Sequence, residues 1–269
     1  MVVKPFIKWA GGKRKLLPDI LKVAPKSFNR YLEPFLGGGA FAFALGFHRM
    51  LLNDANHELI NTYEVVRDHL SNLISLLDIH KLAHSEEYFY KVRKQNPEDL
   101  NQVERAARFI YLNKTAFNGL YRVNKLGQFN VPFGKYRNPS IYNKSDLEAA
   151  SQTLQSAKLF SLDYVEFLRM NSLPGDFIYL DPPYHPVSKF SDFKRYTKEQ
   201  FREEDQIQLA KIFRELIKLQ AYPVLSNSYS KLTLEIYSDF KIIVVEAARN
   251  INHDGTGRAP IREILVIPK

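Results

Sequence analysis

The sequence predicts an α/β chain with a mainly helical insertion, and three observations carry that reading. Short strand-like apolar runs recur along it, several of them ending in an acid or an Asn. Helical patterns lie between some of these runs, as crossover connections do in an α/β sheet. One interval, 57–150, holds helical patterns and loops but little that reads as a central strand.

Taken in order, the runs are RYLEPF from 30, RMLLND from 49, KLFSLD from 158, DFIYLD from 176, YPVLSN from 222, KIIVVEA from 241 and REILVI from 262. The clearest helix between strands places Leu209, Ile212, Phe213, Leu216 and Ile217 on one face at a period near 3.6. Within the insertion, Leu59, Ile60, Tyr63, Val66, Leu70, Leu73, Ile74 and Leu77 form the stripe of one amphipathic helix. Further helical stretches follow near Tyr88 and from Glu98 to Phe117. The expected organisation is therefore one domain made of 1–56 and 151–269, interrupted by an inserted domain at 57–150.

Composition narrows the function classes. A chain of 269 residues that is 45% hydrophobic can bury a sizeable core. Lys and Arg total 38 against 29 Asp and Glu, and the pI of about 9.4 points to a polyanionic partner. The absence of cysteine excludes disulfides, thiolate metal sites and cysteine nucleophiles. MVVKPFIKWAGGK interrupts its apolar residues with Lys4, Pro5 and Lys8, unlike a signal peptide, and AFAFALGF at 40–47 is too short to span a bilayer. A soluble cytoplasmic protein without a membrane partner is expected. Of the histidines only His80 and His84 have the i,i+4 spacing of a metal pair, and with no supporting acid or Cys no metal is expected.

From Arg105 through Ser145 the charged residues are all basic: Arg105, Arg108, Lys114, Arg122, Lys125, Lys135, Arg137 and Lys144. A solvated face normally mixes signs. The same stretch interleaves Phe117, Tyr121, Phe129, Phe133, Tyr136 and Tyr142 with Asn118, Asn124 and Asn130, whose amides can bond base edges. A nucleic-acid surface is the favoured reading, against a loop whose aromatics close a small satellite core.

Two strand ends carry the chemistry. After the first strand, Gly37, Gly39 and Ala42 have the G-x-G-x-x-A spacing at which a backbone can approach a nucleotide. Asp54 ends the next strand, placed to accept the two hydroxyls of a ribose, or alternatively to cap the helix that follows. A nicotinamide dinucleotide and S-adenosylmethionine both suit such a loop. FIYLDPPY at 177–184 distinguishes them. Pro182 and Pro183 end the strand and remove two N–H donors, leaving an edge rich in acceptors. An exocyclic amine of a nucleobase is a poor nucleophile because its lone pair is delocalised into the ring. Hydrogen bonds from its N–H groups to the Asp181 carboxylate and the Pro182 carbonyl favour a more reactive, pyramidal nitrogen, and Tyr184 offers a flat face for an unstacked base.

FIKWAGGK at 6–13, EPFLGGG at 33–39, the following Asp54, LNKTAFNGLYR at 112–122, GQFNVPFGKY at 127–136 and DPPY at 181–184 stand in an order that resembles the DNA adenine-N6 methyltransferases of the GATC-methylating type. The resemblance covers nearly the whole chain. It implies an S-adenosylmethionine-dependent, Rossmann-like fold with a mixed sheet and an inserted helical DNA-recognition domain. It implies S-adenosyl-L-methionine as donor, surrounded by Trp9, Gly11, Lys13, Phe35, Gly37, Gly39, Asp54 and Asp181, with Asp163 and Tyr164 facing its adenine. The catalytic segment would be Asp181, Pro182, Pro183 and Tyr184. On double-stranded DNA, Phe117 would fill or prop the gap left by a flipped adenine, and Asn118, Leu120, Arg122, Pro132, Lys8 and Tyr136 would approach the bases. Thr115, Ala116 and Tyr121 stand where such proteins vary. A cognate restriction endonuclease would be a companion without an obligate complex.

Rival readings are an N4-cytosine or RNA amino methyltransferase, a catalytically silent nucleic-acid-binding relative, and a nicotinamide oxidoreductase. C5-cytosine methylation is excluded, because its covalent route needs a cysteine.

Overall fold

A computed structural model describes residues 3–9, 11, 13, 16–124, 126–184, 201–247 and 261–269. In chain order these form α1 (Leu17–Val23), β1 (Tyr31–Glu33), α2 (Ala40–Leu45), β2 (Met50–Asn53), α3 (His57–Asp68), α4 (Leu70–Leu82), α5 (Glu86–Lys94), α6 (Gln102–Thr115), α7 (Lys144–Leu154), β3 (Ala157–Phe160), α8 (Tyr164–Asn171), β4 (Phe177–Leu180), α9 (Glu203–Lys218), β5 (Tyr222–Ser228), α10 (Lys231–Ile236), β6 (Lys241–Ala247) and β7 (Ile261–Ile267). Each of the seven strand-like runs forms a strand, and the α/β class expected from the sequence is the one adopted. The chain packs as two compact units. One contains Leu36–Tyr164 and the N-terminal residues through 11. The other contains 13–35, 165–184, 201–247 and 261–269 among the described residues.

In the first unit β2 and β3 pair in parallel, from Met50 opposite Ala157 to Asn53 opposite Phe160. The remainder is helical. Asn56 caps α3 by accepting from the Leu59 N–H, and Asn101 with Glu104 forms a capping box on α6. The stripe expected to be one helix over 59–77 is two. His69, at φ −132° and ψ 34°, ends α3 and starts α4, and both helices pack against α6. The break lets Leu59, Tyr63 and Val66 on α3 and Leu73 and Leu77 on α4 all be buried. Phe6 lies edge-on to Phe43 and Tyr63, tying the N-terminal segment into this core.

The second unit is built on five strands in the order β1-β4-β5-β7-β6. β1, β4 and β5 run parallel, and β7 is antiparallel to both β5 and β6, so the sheet is mixed. Its central strands are buried on both faces: Phe177, Ile178, Leu180, Val224, Leu225, Ile264 and Leu265 are all inaccessible. The apolar stripe of α9 buries Leu209, Ile212, Phe213 and Leu216, and Phe213 packs edge-on against Tyr237 and Phe240. Before β4, the inaccessible Asp176 carboxylate holds the Arg30 guanidinium at 2.6 and 3.0 Å and accepts the Leu173 N–H. The sheet thereby delivers Asp181 to the carboxyl end of a parallel strand, where open α/β sheets place ligands.

Candidate functional site

In the first unit the Gly-rich segment makes a tight turn. Gly37 has φ +49°, and a Cβ there would stand 2.7 Å from Cδ1 of the Trp9 indole, so only glycine lets backbone and ring approach so closely. Gly39, at φ +66°, begins α2. Asp54 closes the turn. Its Oδ2 accepts the Gly37 N–H and its Oδ1 accepts the Asn56 N–H, both at 2.9 Å. The cap of α3 is Asn56, not Asp54. Burial pushes the Asp54 carboxyl up to about 6, against the two N–H donors that favour its charged form. A carboxylate so deprived of solvent is a ready acceptor for further donors. Trp9 also stacks on Tyr121 and Phe109. Gly11 is exposed at φ +85°, Asp163 is exposed, and Tyr164 is buried.

The same unit gathers the segments that the sequence assigns to base recognition. After α6, Asn118 and Gly119 adopt consecutive left-handed conformations, at φ 54° and 62°, and reverse the chain. The Phe117 N–H donates to the Pro132 carbonyl at 2.9 Å and the Gly134 N–H to the Thr115 carbonyl, joining the two motifs. Lys8 lies against this turn. Any Cβ at Gly119 would collide with the Lys8 stem, and the Lys8 ammonium is 4.8 Å from the Tyr136 ring centroid. The wholly buried Asn113 side chain accepts the Lys8 N–H at 2.8 Å, donates to the Lys8 carbonyl at 2.7 Å and reaches the Gly119 carbonyl. Phe117, Asn118, Leu120 and Pro132 are exposed. Arg122 donates its Nε to Asn130 Oδ1 at 2.8 Å, leaving both terminal nitrogens without a partner among the described residues.

In the second unit DPPY sits in a polar network. Asp181 Oδ1 accepts the Ser226 hydroxyl at 2.8 Å and lies 3.2 Å from the Lys13 ammonium. Tyr179 holds Ser226 in turn at 2.9 Å. Burial raises the Asp181 carboxyl above its usual range, opposed by Lys13 and by the Ser226 hydroxyl. Oδ2 has no partner among the described residues. Lys13 is also 3.5 Å from Glu263 Oε2 and 3.8 Å from the Tyr184 ring centroid, while the Tyr184 hydroxyl donates to that same glutamate oxygen. Gln206 on α9 donates to the Pro183 carbonyl at 2.9 Å and is itself held by Asn227. Phe35 stands edge-on to Phe201. Glu263, Ser226, Gln206 and Asn227 belong to no motif that announces their role, and Asn113, though it lies within LNKTAFNGLYR, gives no local sign of its own.

The acid-free segment is only partly a surface. Arg108 is buried and donates to the carbonyls of Val92 and Arg93, and Arg105 pairs with Glu58. Lys125, like Ala10 and Gly12 of the N-terminal motif, lies outside the described residues. Among the aromatics, Phe129 is buried, Tyr121 packs on Trp9 and Phe109, and Phe133 packs on Phe89, so the satellite-core reading holds for these three. His80 and His84 face the hydroxyls of Tyr88 and Tyr111, each at 2.9 Å, and no metal-holding group of acids and histidines occurs among the described residues. A cavity of about 170 Å³ lined by Phe6, Lys114, Tyr142 and Asp146 touches none of the candidate residues. No helix among the described residues is long and apolar enough to cross a membrane.

Comparison with known proteins agrees with this chemistry. The family profile for the D12 class N6 adenine-specific DNA methyltransferases matches residues 9–251. The chain is 43% identical to the Type II methyltransferase M1.LlaDCHI of Lactococcus lactis subsp. cremoris, covering 98% of this chain and 95% of the relative. It is 42% identical to the Type II methyltransferase M.MjaIII of Methanocaldococcus jannaschii, over 99% of each chain. To the DNA adenine methylase of Escherichia coli K12 it is 32% identical, over 99% of this chain and 95% of the relative. Methyltransferases in general draw their methyl group from S-adenosylmethionine. With an acceptor-rich strand end, a glycine turn closed by a buried acid, and relatives matched along nearly its whole length, the chain belongs to the D12 class of N6 adenine-specific DNA methyltransferases and is a site-specific enzyme of that kind.

Proposed function

We propose that the protein methylates N6 of the adenine in a GATC target of double-stranded DNA, acting on the base after it has turned out of the helix. The observation that carries this reading is the state of Asp181: Oδ1 is fixed by Ser226 and Lys13, and Oδ2 is left open among the described residues. Oδ2 and the Pro182 carbonyl accept the two N–H bonds of the adenine amine and favour a pyramidal nitrogen, Tyr184 gives the base a face to stack on, and Pro182 and Pro183 keep competing donors away. The surplus amine proton leaves after transfer. Residues 57–150 serve as the target-recognition domain of this reading, and 1–56 with 151–269 as the catalytic domain.

The residues around Gly37 fit S-adenosylmethionine: a turn that admits no Cβ beneath Trp9, and beside it an acid whose raised pKa marks unmet demand for donors. When bound, this donor supplies a methyl group already activated on a sulfonium. Asp54 takes its ribose hydroxyls. Trp9, Gly11, Lys13, Phe35, Gly39, Asp163, Tyr164 and Asp181 complete the binding set. On the DNA side, Arg122 reads guanine with its two open nitrogens, the geometry best suited to that base. Lys8 and Tyr136 add base contacts beside Asn118, Leu120 and Pro132, and Phe117 occupies the vacated stack. The work is done in the cytoplasm. A cognate endonuclease, where one exists, shares the DNA sequence and not a complex.

The test is methylation of random-sequence duplex followed by base-resolution mapping. N6-methyladenine concentrated in GATC is the expected outcome. Methylated cytosine, or adenine in another context, overturns the target assignment.

A further inference from the structure

We infer that Glu263 is a positioning residue of the transfer site, fixing Tyr184 from both its hydroxyl and its ring face. The inference rests on the reading above in which Tyr184 seats the adenine. Glu263 comes from β7, where its backbone pairs with Ser228 of β5, far along the chain from DPPY. Its Oε2 accepts the Tyr184 hydroxyl and stands 3.5 Å from the Lys13 ammonium. Lys13 is only 7% exposed and lies 3.8 Å from the Tyr184 ring centroid, so one carboxylate oxygen governs two contacts on the same ring.

A tyrosine ring turns about two side-chain bonds. A hydroxyl bond alone leaves the ring free to rock about the axis through it, and a cation on one face alone leaves the ring free to slide. Together they fix the plane on which, in the reading above, the adenine stacks. Lys13 needs the second carboxylate for this. With Asp181 as sole counter-charge it would settle toward Oδ1, 3.2 Å away, and the ring would lose its cation. Glu263 is thus placed to act on the base through Tyr184 and on Asp181 through Lys13, without touching substrate itself.

The experiment compares kcat and KM on a duplex containing the target, together with the fluorescence of 2-aminopurine at the target position, for Glu263→Ala, Glu263→Gln, Tyr184→Phe, Tyr184→Ala and the Glu263→Ala/Tyr184→Phe double variant. Glu263→Ala should lose about tenfold in kcat/KM, the scale of one charge-assisted hydrogen bond, and should alter the 2-aminopurine signal. Glu263→Gln, whose amide oxygen still accepts the hydroxyl, should recover part of both. The double variant should lose less than the product of the single losses, because both changes remove the same bond. If Glu263→Ala does not fold, Glu263→Gln and Tyr184→Phe still probe that bond from its two ends. Losses that multiply, or a Glu263→Ala enzyme as active as wild type beside a crippled Tyr184→Ala, overturn the role of Glu263 alone. A fully active Tyr184→Ala overturns the seating of adenine on Tyr184, and this inference with it.

Discussion

Replacing Asp54 by Asn gives a prediction whose sign can be worked out in advance. A pKa carried from the ordinary carboxylate range to about 6 corresponds to about 3 kcal/mol, at about 1.4 kcal/mol per pKa unit. Because the folded state holds the proton more tightly than the unfolded chain, this contribution is present below about pH 4 and is lost as pH rises through about 6. Asn removes the titration, but it has one oxygen where Asp54 uses two. Either Gly37 or Asn56 must then face an NH₂ group, which costs about 1 to 3 kcal/mol. At neutral pH the relief of burying a charge and the cost of the mismatched donor nearly cancel. At pH 4 only the cost remains. Urea unfolding of ligand-free protein at pH 4 and pH 7 should therefore show Asp54→Asn clearly less stable than wild type at the lower pH, with the gap closing by up to about 3 kcal/mol at the higher. Ribose hydroxyls donated to the carboxylate favour its charged form, so S-adenosylmethionine should bind wild type more tightly as pH rises through 6, releasing a proton. Calorimetry in buffers of different ionisation enthalpy reads that proton. A stability gap independent of pH, or the same proton release from Asp54→Asn, would refute the reasoning.

Asp181→Ala should lose nearly all turnover and keep most DNA affinity; a tenth of wild-type activity remaining, only about 1.4 kcal/mol of barrier, would remove Asp181 from its role as acceptor. Arg122→Ala should relax preference at one base position of the target at a cost of about 1 to 3 kcal/mol, whereas a uniform loss across all single-base variants, with a salt slope lower by about one, would make Arg122 a phosphate anchor. Asp176→Ala should destabilise the second unit by about 1 to 3 kcal/mol, since it leaves the Leu173 N–H without its acceptor and the Arg30 guanidinium with only the Asn171 carbonyl. Thermal or urea unfolding checks it, and an unchanged midpoint would show that the pair contributes nothing.

The strands were legible because burial on both faces makes them continuous apolar runs, and because several end in the polar residue that the strand delivers to its carboxyl end: Asn53 at the end of β2 with Asp54 next, Asp181 after β4. The break at His69 was not. The apolar spacing stays helical through it, and only packing of α3 and α4 on a common partner, α6, explains why the chain bends there. The basic segment misled for a related reason. Charge is visible in sequence, but its direction is not: Arg108 points inward to two backbone carbonyls, and Arg105 is claimed by Glu58 on another helix.

The site shows the same limit more sharply. Asp181, Pro182, Pro183 and Tyr184 declare themselves because their chemistry depends on being consecutive. The groups that hold them do not. Ser226 and Asn227 sit in a buried strand, Gln206 in a helix and Glu263 near the carboxyl terminus, each in a local sequence that suits its element and nothing more. A single side-chain bond to a distant carbonyl, carboxylate or hydroxyl imposes no spacing rule on the chain between. Asn113 makes the point from the other unit. Its neighbours in LNKTAFNG drew attention as base contacts, yet the buried amide binds both backbone polar groups of Lys8 and so determines where that lysine stands. A residue that acts by orienting another is found only once the fold has brought the two together, and here it is those residues that fix what the motif residues can reach.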